Sequence, residues 1–179
     1  MPAVELAPRP AVTAYVALGS NLGNSAEILK AALDRLQRLS PDPILRSSVW
    51  RTTPVDCPPG SPPFLNAVAA LTVVPTETPE SLLEKLQALE KEFGRQPKKT
   101  FNEPRPLDLD LLAFGEVVRS SAALVLPHPR ARNRRFVLEP WNEIAPDFIL
   151  PGDRRTIREF LGALNSSEKV TRLAPRGPS

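Results

Sequence analysis

Between Leu107 and Leu111 the chain alternates leucine with aspartate, inside the longer stretch PRPLDLDLLAFG of residues 104 to 115. A strand turns successive side chains to opposite faces. The three leucines therefore take one face and Asp108 and Asp110 the other, roughly 7 Å apart at Cα from the strand rise. Two like charges at that distance repel unless a cation lies between them or water bathes both. The segment calls for a sheet with one packed face and one face where carboxylates meet solvent or a ligand.

The flanking periodicities give that sheet its partners. VTAYVALG (12–19), ILRSSVWRT (44–52) and FLNAVAALTVV (64–74) read as strands, with the aspartate segment as the fourth. SAEILKAALDRLQRL (25–39) carries a helical stripe of Leu29, Leu33 and Leu36 beside Ile28, Ala32 and Leu39, and Asn24 with Glu27 forms a capping-box start. A second helix covers 79–93: Thr78 caps it, Pro79 opens it, Gly94 stops it, and Leu82, Leu86, Leu89 and Phe93 line its buried side. The order β-α-β-β-α-β predicts an α+β fold with a ferredoxin-like core, an antiparallel sheet carrying two helices on one face. Two further segments, 131–144 and 156–164, are expected to be helices that partly cover the second face. The domain is expected to span 11–165, with loose tails at 1–10 and 166–179.

On the third strand, Leu65, Ala67, Ala69, Leu71 and Val73 make the apolar side, which turns Phe64, Asn66, Val68 and Ala70 the other way. An aromatic, an amide and two carboxylates are thus expected on the face that the first two helices leave open. Two long connections, 53–63 and 95–105, run into the strands carrying these residues and read as lids.

Composition narrows the functions available. No apolar run reaches the length of a membrane span, and the N-terminal MPAVELAPRP lacks the order of a secretory signal, so a cytoplasmic protein with no membrane partner is expected. One cysteine and one histidine exclude a cysteine/histidine zinc site and a metalloprotease motif. A net charge of +3 is compatible with a polyanionic ligand but too small to indicate nucleic acid. No Gly-Lys dipeptide exists, so there is no Walker-type loop, and no two glycines stand two apart as a dinucleotide fingerprint requires. GSNLG (19–23) reads as a tight turn leading into a helix cap.

Paired carboxylates suit a hard cation: Mg²⁺ takes oxygen ligands, commonly one or two carboxylates plus substrate phosphates. Arg95 and Arg105 bracket the second long loop, and Arg132, Arg134 and Arg135 follow His128, which supplies charge for a polyphosphate. The competing reading of Asp108 and Asp110 is a solvated strand face. An RNA-binding domain of the same topology would stack bases on sheet aromatics, but its aromatic signature is missing. A regulatory small-molecule domain would account for the fold and not for the aspartate-arginine-histidine set.

Taken together, AYVALGSNLGN, WRTTPVD, FLNAV, LEKEFGR, PRPLDLDLLAFG and LPHPRARNRRFVLEPWNEIAP resemble the 6-hydroxymethyl-7,8-dihydropterin pyrophosphokinase family of folate biosynthesis, in order, over about residues 12 to 151. The resemblance implies pyrophosphoryl transfer from ATP to the pterin hydroxymethyl group, with AMP released. It implies two Mg²⁺ ions on Asp108 and Asp110, with ATP as co-substrate. Thr52, Val55, Phe64, Asn66 and Phe136 match the pterin site, the two aromatics sandwiching the ring. Gln87, Glu90, Arg95, Arg105, Leu111, His128 and Arg134 match the nucleotide site. Arg95, Arg105, Asp108 and Asp110 are the expected catalytic set. The departures lie in the second loop, where Asn102 replaces an aromatic and Pro97 a second arginine of some relatives; Phe101 is the candidate substitute lid aromatic.

Overall fold

A computed structural model describes residues 11–53, 58–95 and 104–173. β1 (Val12–Ser20) leads into α1 (Ser25–Gln37), where Asn24 Oδ1 accepts the Glu27 N–H at 3.5 Å. Leu29, Ala32, Leu33 and Leu36 are its buried stripe.

In place of the single strand expected over 44–52 there are two, β2 (Leu45–Arg46) and β3 (Trp50–Thr52), both paired with β4 (Phe64–Val73). The interruption has a local cause. Ser47 donates its N–H to the Val68 carbonyl, and its hydroxyl oxygen accepts the Val68 N–H, each at 2.9 Å. A side chain thereby replaces a backbone acceptor in the ladder. From Arg46↔Ala69 to Trp50↔Asn66 the edge chain advances four residues and β4 three, a one-residue bulge.

α2 (Pro79–Glu92) begins with a reciprocal cap: Thr78 Oγ1 accepts the Ser81 N–H at 3.0 Å and Ser81 Oγ accepts the Thr78 N–H at 2.9 Å. Gly94 follows at φ 91°, a conformation that ends the helix at little cost only for glycine. β5 (Asp108–Phe114) is the leucine-aspartate strand, followed by a small hairpin of β6 (Arg119–Ser120) and β7 (Val125–Leu126).

The helix expected over 131–144 is broken. A 3₁₀ turn at Ala131–Asn133 is separated by extended Arg134 from α3 (Arg135–Ile144). α4 (Ile157–Ala163) opens on Thr156, whose side chain accepts the Glu159 N–H. The segment expected to be a loose tail from 166 holds a strand, β8 (Val170–Arg172), paired with β3.

The sheet runs β5-β1-β4-β3-β8, antiparallel throughout, with β2 also on β4. α1 and α2 pack their leucines against Ala14, Val16, Leu18, Ala69, Leu71, Leu107, Leu109 and Leu111. Full burial of each such leucine contributes roughly 1.5–3 kcal/mol, which fixes the leucine side of β5 inward. On the other face α3 and α4 cover Tyr15, Ala17, Val68 and Ala70, with Trp141 and Phe148 tilted against Tyr15 at 5.4 and 4.7 Å. Leu112 falls on this second core by the same alternation as the aspartates, and a bulge of β5 against β1 between Leu111 and Ala113 adds Ala113 to it and returns Phe114 to the first core. The C-terminal helices thus close one half of the second face.

Candidate active site

Arg172, Trp50, Asn66, Gly19 and Asp108 stand opposite one another on β8, β3, β4, β1 and β5, one row across the sheet. The floor of the site is this row. Asn66 is 5% exposed and donates through Nδ2 to Thr52 Oγ1 at 2.6 Å, which leaves its Oδ1 toward Gly19. A Cβ at position 19 would lie 3.2 Å from that oxygen, 3.7 Å from the Phe64 ring and 4.0 Å from Asp108 Cβ. Glycine is required here for space, not for backbone freedom.

Thr52, Phe64, Asn66, Asp108 and Asp110 therefore share the face expected of them. Phe136, at the start of α3, is half-buried with the Arg134 guanidinium 5.4 Å over its ring, and the Arg105 guanidinium stands 5.4 Å over Phe64. Val55 lies outside the described residues, as do Pro97, Phe101 and Asn102. Leu111 turns its side chain, 3% exposed, into the core beneath α1 and α2, since it alternates with the aspartates. Gln87 is exposed on α2, one turn before Glu90.

The charged groups form a chain. Arg95 Nη1 binds Glu90 and, at 2.6 Å, Asp108 Oδ1. Glu90 Oε2 also accepts the Leu109 N–H at 3.0 Å, tying α2 to β5. Arg105 Nε is 3.4 Å from Asp108 Oδ2 and, although buried, makes no hydrogen bond among the described residues. Burial alone would raise the Asp108 carboxyl; Arg105 and Arg95 outweigh it and hold the group below its ordinary range. Asp110 is pushed up to about 6 by burial and by the Asp108 charge, against Arg134, Arg105 and Arg95. Burial likewise lifts Glu90 to about 7, opposed by the Leu109 N–H and Arg95.

His128 is held by its own N–H, donated to the Leu112 carbonyl exposed at the β5 edge at 2.9 Å, and its Nδ1 accepts the Arg130 N–H at 3.2 Å. Nε2 is then the nitrogen left to donate outward. Burial, with Arg134 and Arg130 close by, lowers its pKa to about 4.

The sequence reading missed two residues of this site. Gly19 and Asn21 belong to GSNLG, read only as a turn. Asn21, 3% exposed, clasps Arg105 by two hydrogen bonds, its N–H to the Arg105 carbonyl at 3.1 Å and its Oδ1 from the Arg105 N–H at 2.9 Å. Its Nδ2 reaches the Pro62 carbonyl at 3.4 Å. The signal available was a polar Ser-Asn pair directly after a buried strand.

The donor set fits a hard cation. Among the described residues no three or more histidine, cysteine or acidic side chains are grouped so as to hold a metal ion by themselves, so the protein offers two carboxylates and leaves further positions to other ligands. The Asp110 side chain has no hydrogen bond or ion pair among the described residues, and Arg134, Arg105 and Arg95 only partly offset the burial and the Asp108 charge that raise its pKa. Arginines on both sides supply what a polyphosphate needs, and an aromatic-amide pocket beside them suits a flat heterocycle with ring donors and acceptors.

Comparison with known proteins agrees. Residues 15–146 match the model of the family described as 7,8-dihydro-6-hydroxymethylpterin-pyrophosphokinase (HPPK). The 2-amino-4-hydroxy-6-hydroxymethyldihydropteridine pyrophosphokinase of Haemophilus influenzae is 40% identical over 169 residues, 92% of this chain and 99% of that protein. Its counterpart in Pseudomonas aeruginosa is 42% identical over 150 residues, 83% and 90% of the two chains. Among solved structures, an HPPK-DHPS crystallised with substrates superposes with a TM-score of 0.69 at 13% identity, covering 86% of this chain and 43% of that one. That likeness shows the fold alone, and this chain spans less than half the solved one. The family match over most of the chain, with two relatives at 40% identity or above over nearly their full length, establishes that this chain belongs to the HPPK family.

Proposed function

We propose that this chain transfers the pyrophosphoryl group of ATP to the hydroxymethyl oxygen of 6-hydroxymethyl-7,8-dihydropterin, releasing AMP, as a step of folate biosynthesis. The observation that carries the reading is the single open sheet face on which Asn66 and Phe64 adjoin Asp108, Asp110, Arg95 and Arg105. The hydroxymethyl oxygen bonds to the β-phosphorus, the bond from that phosphorus to the oxygen bridging it to the α-phosphate breaks, and the hydroxyl proton is released.

The protein's part is positioning and charge. Phe64 and Phe136 hold the ring, while Asn66, fixed by Thr52, reads its polar edge. Arg95 and Arg105 leave Asp108 for the phosphates, whose negative charge replaces the carboxylate as their partner. His128 and Arg134 take the nucleotide side, with Gln87 and Glu90 at the α2 end. Asp108 and Asp110 would hold two Mg²⁺ ions; when bound, these neutralise phosphate charge and lower the pKa of a coordinated hydroxyl. The strand order supports a ferredoxin-like core, since the four long-range strands follow the pattern fourth, first, third, second. We read residues 11–165 as the catalytic domain, completed by β8, and its setting as cytoplasmic.

The test is to incubate the protein with ATP, Mg²⁺ and the hydroxymethyldihydropterin and to separate AMP from ADP. Pterin-dependent AMP that disappears without Mg²⁺ is expected. ADP as the product would mean ordinary phosphoryl transfer and would overturn the reading.

A further inference from the structure

The last strand brings to the pterin end of the site a carboxylate that none of the roles above uses. β8 pairs with β3 in the register Trp50↔Arg172, Arg51↔Thr171 and Thr52↔Val170, and the Thr53 N–H continues the ladder to the Lys169 carbonyl at 3.4 Å. Thr52 faces the site, since its hydroxyl takes the Asn66 amide. Residues directly opposite on paired strands share a face, and so do residues two apart along one strand. Val170 and then Glu168 therefore share the face of Thr52 and Asn66. Burial follows the same alternation: Ser166, Glu168 and Val170 are half-buried, whereas Ser167, Lys169 and Thr171 are exposed.

Glu168 Oε2 is shielded from solvent and accepts no hydrogen bond among the described residues. A buried, unpartnered carboxylate oxygen costs desolvation without return, unless something else donates to it. The side chain is near enough to Arg134 for its charge to act on that guanidinium, which itself stands over Phe136. Glu168 is thereby located from two directions, by strand register beside Thr52 and by charge beside the Arg134–Phe136 pair.

We infer that Glu168 is a specificity-determining residue that accepts hydrogen bonds from the 2-amino, ring-N–H edge of the pterin. The inference rests on the function proposed above. A 2-amino-4-hydroxy pteridine, in its oxo form, presents two adjacent N–H donors on one edge, and a carboxylate presents two acceptors at matching spacing. Among the described residues the Asn66 and Thr52 side chains supply one amide oxygen and a hydroxyl already engaged by that amide, and Glu168 adds an acidic acceptor to them. The 2-oxo analogue, a lumazine, would turn an oxygen toward the same carboxylate and be rejected.

The experiment compares wild type, Glu168→Gln and Glu168→Asp with the hydroxymethyldihydropterin and with the corresponding 2-oxo lumazine, measuring AMP release and the KM for each substrate. In Glu168→Gln the pterin KM should rise about 10- to 100-fold, the span set by losing a charged hydrogen bond, with the ATP KM unchanged. The preference for pterin over lumazine should shrink by a similar factor, because glutamine carries both a donor and an acceptor. Glu168→Asp should recover part of both. An unchanged pterin KM, or a rise in the ATP KM alone, would overturn the inference and leave Glu168 as a partner of Arg134. Absence of AMP from the wild type would instead overturn the proposed function, so the two failures are distinct.

Discussion

Asp108 and Asp110 share a strand face but not an environment. Asp108 is held by Arg95 at 2.6 Å and approached by Arg105 at 3.4 Å, whereas Asp110 has no ion-pair partner among the described residues. The site thus keeps one carboxylate paired with arginine and the other without an ion-pair partner, only partly offset by more distant arginines, an arrangement that favours arrival of a cation. Asp110→Ala should lower turnover by roughly a hundred- to a thousandfold or more while the domain stays folded. A circular-dichroism melt run beside the AMP assay checks both halves, and near-normal turnover would refute the metal assignment. Gly19 makes a different residue-scale prediction. The added methyl of Gly19→Ala meets Asn66 Oδ1 at 3.2 Å, and Asn66 cannot readily yield because Thr52 holds its other end. Misplacing the amide by a few tenths of an ångström should weaken pterin binding by about tenfold and leave ATP binding unaffected. Titrating each substrate separately by calorimetry distinguishes this from general damage, which would weaken both.

At the scale of elements, what β8 does for the sheet explains why the C-terminal segment was misread. Val170–Arg172 is short, and its flanks, NSSEK and LAPRGPS, are rich in turn formers and charge, so no periodicity betrays it. It is a strand because β3 presents an open edge, a tertiary cause that local sequence does not carry. The same reasoning covers the split of 44–52, where a serine hydroxyl replaces a ladder acceptor, and the break at Arg134, which is extended although its neighbours read as helical. By contrast, β5 was legible because leucine-aspartate alternation leaves one solution for its faces. α2 was legible because Thr78, Pro79 and Gly94 punctuate it. Phe64, Asn66, Asp108 and Asp110 followed from strand alternation and the helix residues Phe136 and Glu90 only from the family resemblance, while Asn21 and Gly19 followed from neither, since their roles exist only once loop and sheet meet. Ending the chain after Asn165 should therefore cost stability, by about 1 kcal/mol for each backbone hydrogen bond to β3 that is lost. It should also raise the pterin KM by removing Glu168. A urea melt and the steady-state assay measure the two effects, and an unchanged urea midpoint would mean that β8 is peripheral to the sheet.

At the scale of the whole molecule, the site imposes opposite pH dependences on stability. Glu90 and Asp110 have pKa values raised by folding, so each favours the native state most at low pH and loses that contribution as pH rises through about 7 and about 6. His128 works the other way. Its pKa falls from 6.5 to about 4 on folding, because burial and the neighbouring Arg134 and Arg130 disfavour the imidazolium. Above pH 6.5 both states are neutral there and His128 contributes no slope. Between 6.5 and 4 the unfolded chain takes up the proton and the native protein does not, so stability drains away as pH falls, reaching its full loss below 4. A plain pH profile of the wild type would therefore look flatter than any of its parts, and a difference measurement is needed. His128→Gln keeps a polar side chain of similar size and removes the titration. Between pH 7 and pH 5 the wild type should lose roughly 1 to 2 kcal/mol more stability than the variant, with the carboxylate effects cancelling in the subtraction. Urea unfolding of both proteins at the two pH values reads this directly. Parallel losses in the two proteins would mean that His128 is protonated in the native state. It would then face the nucleotide as a cation rather than as the neutral donor that its enclosure between Leu112 and Arg130 implies.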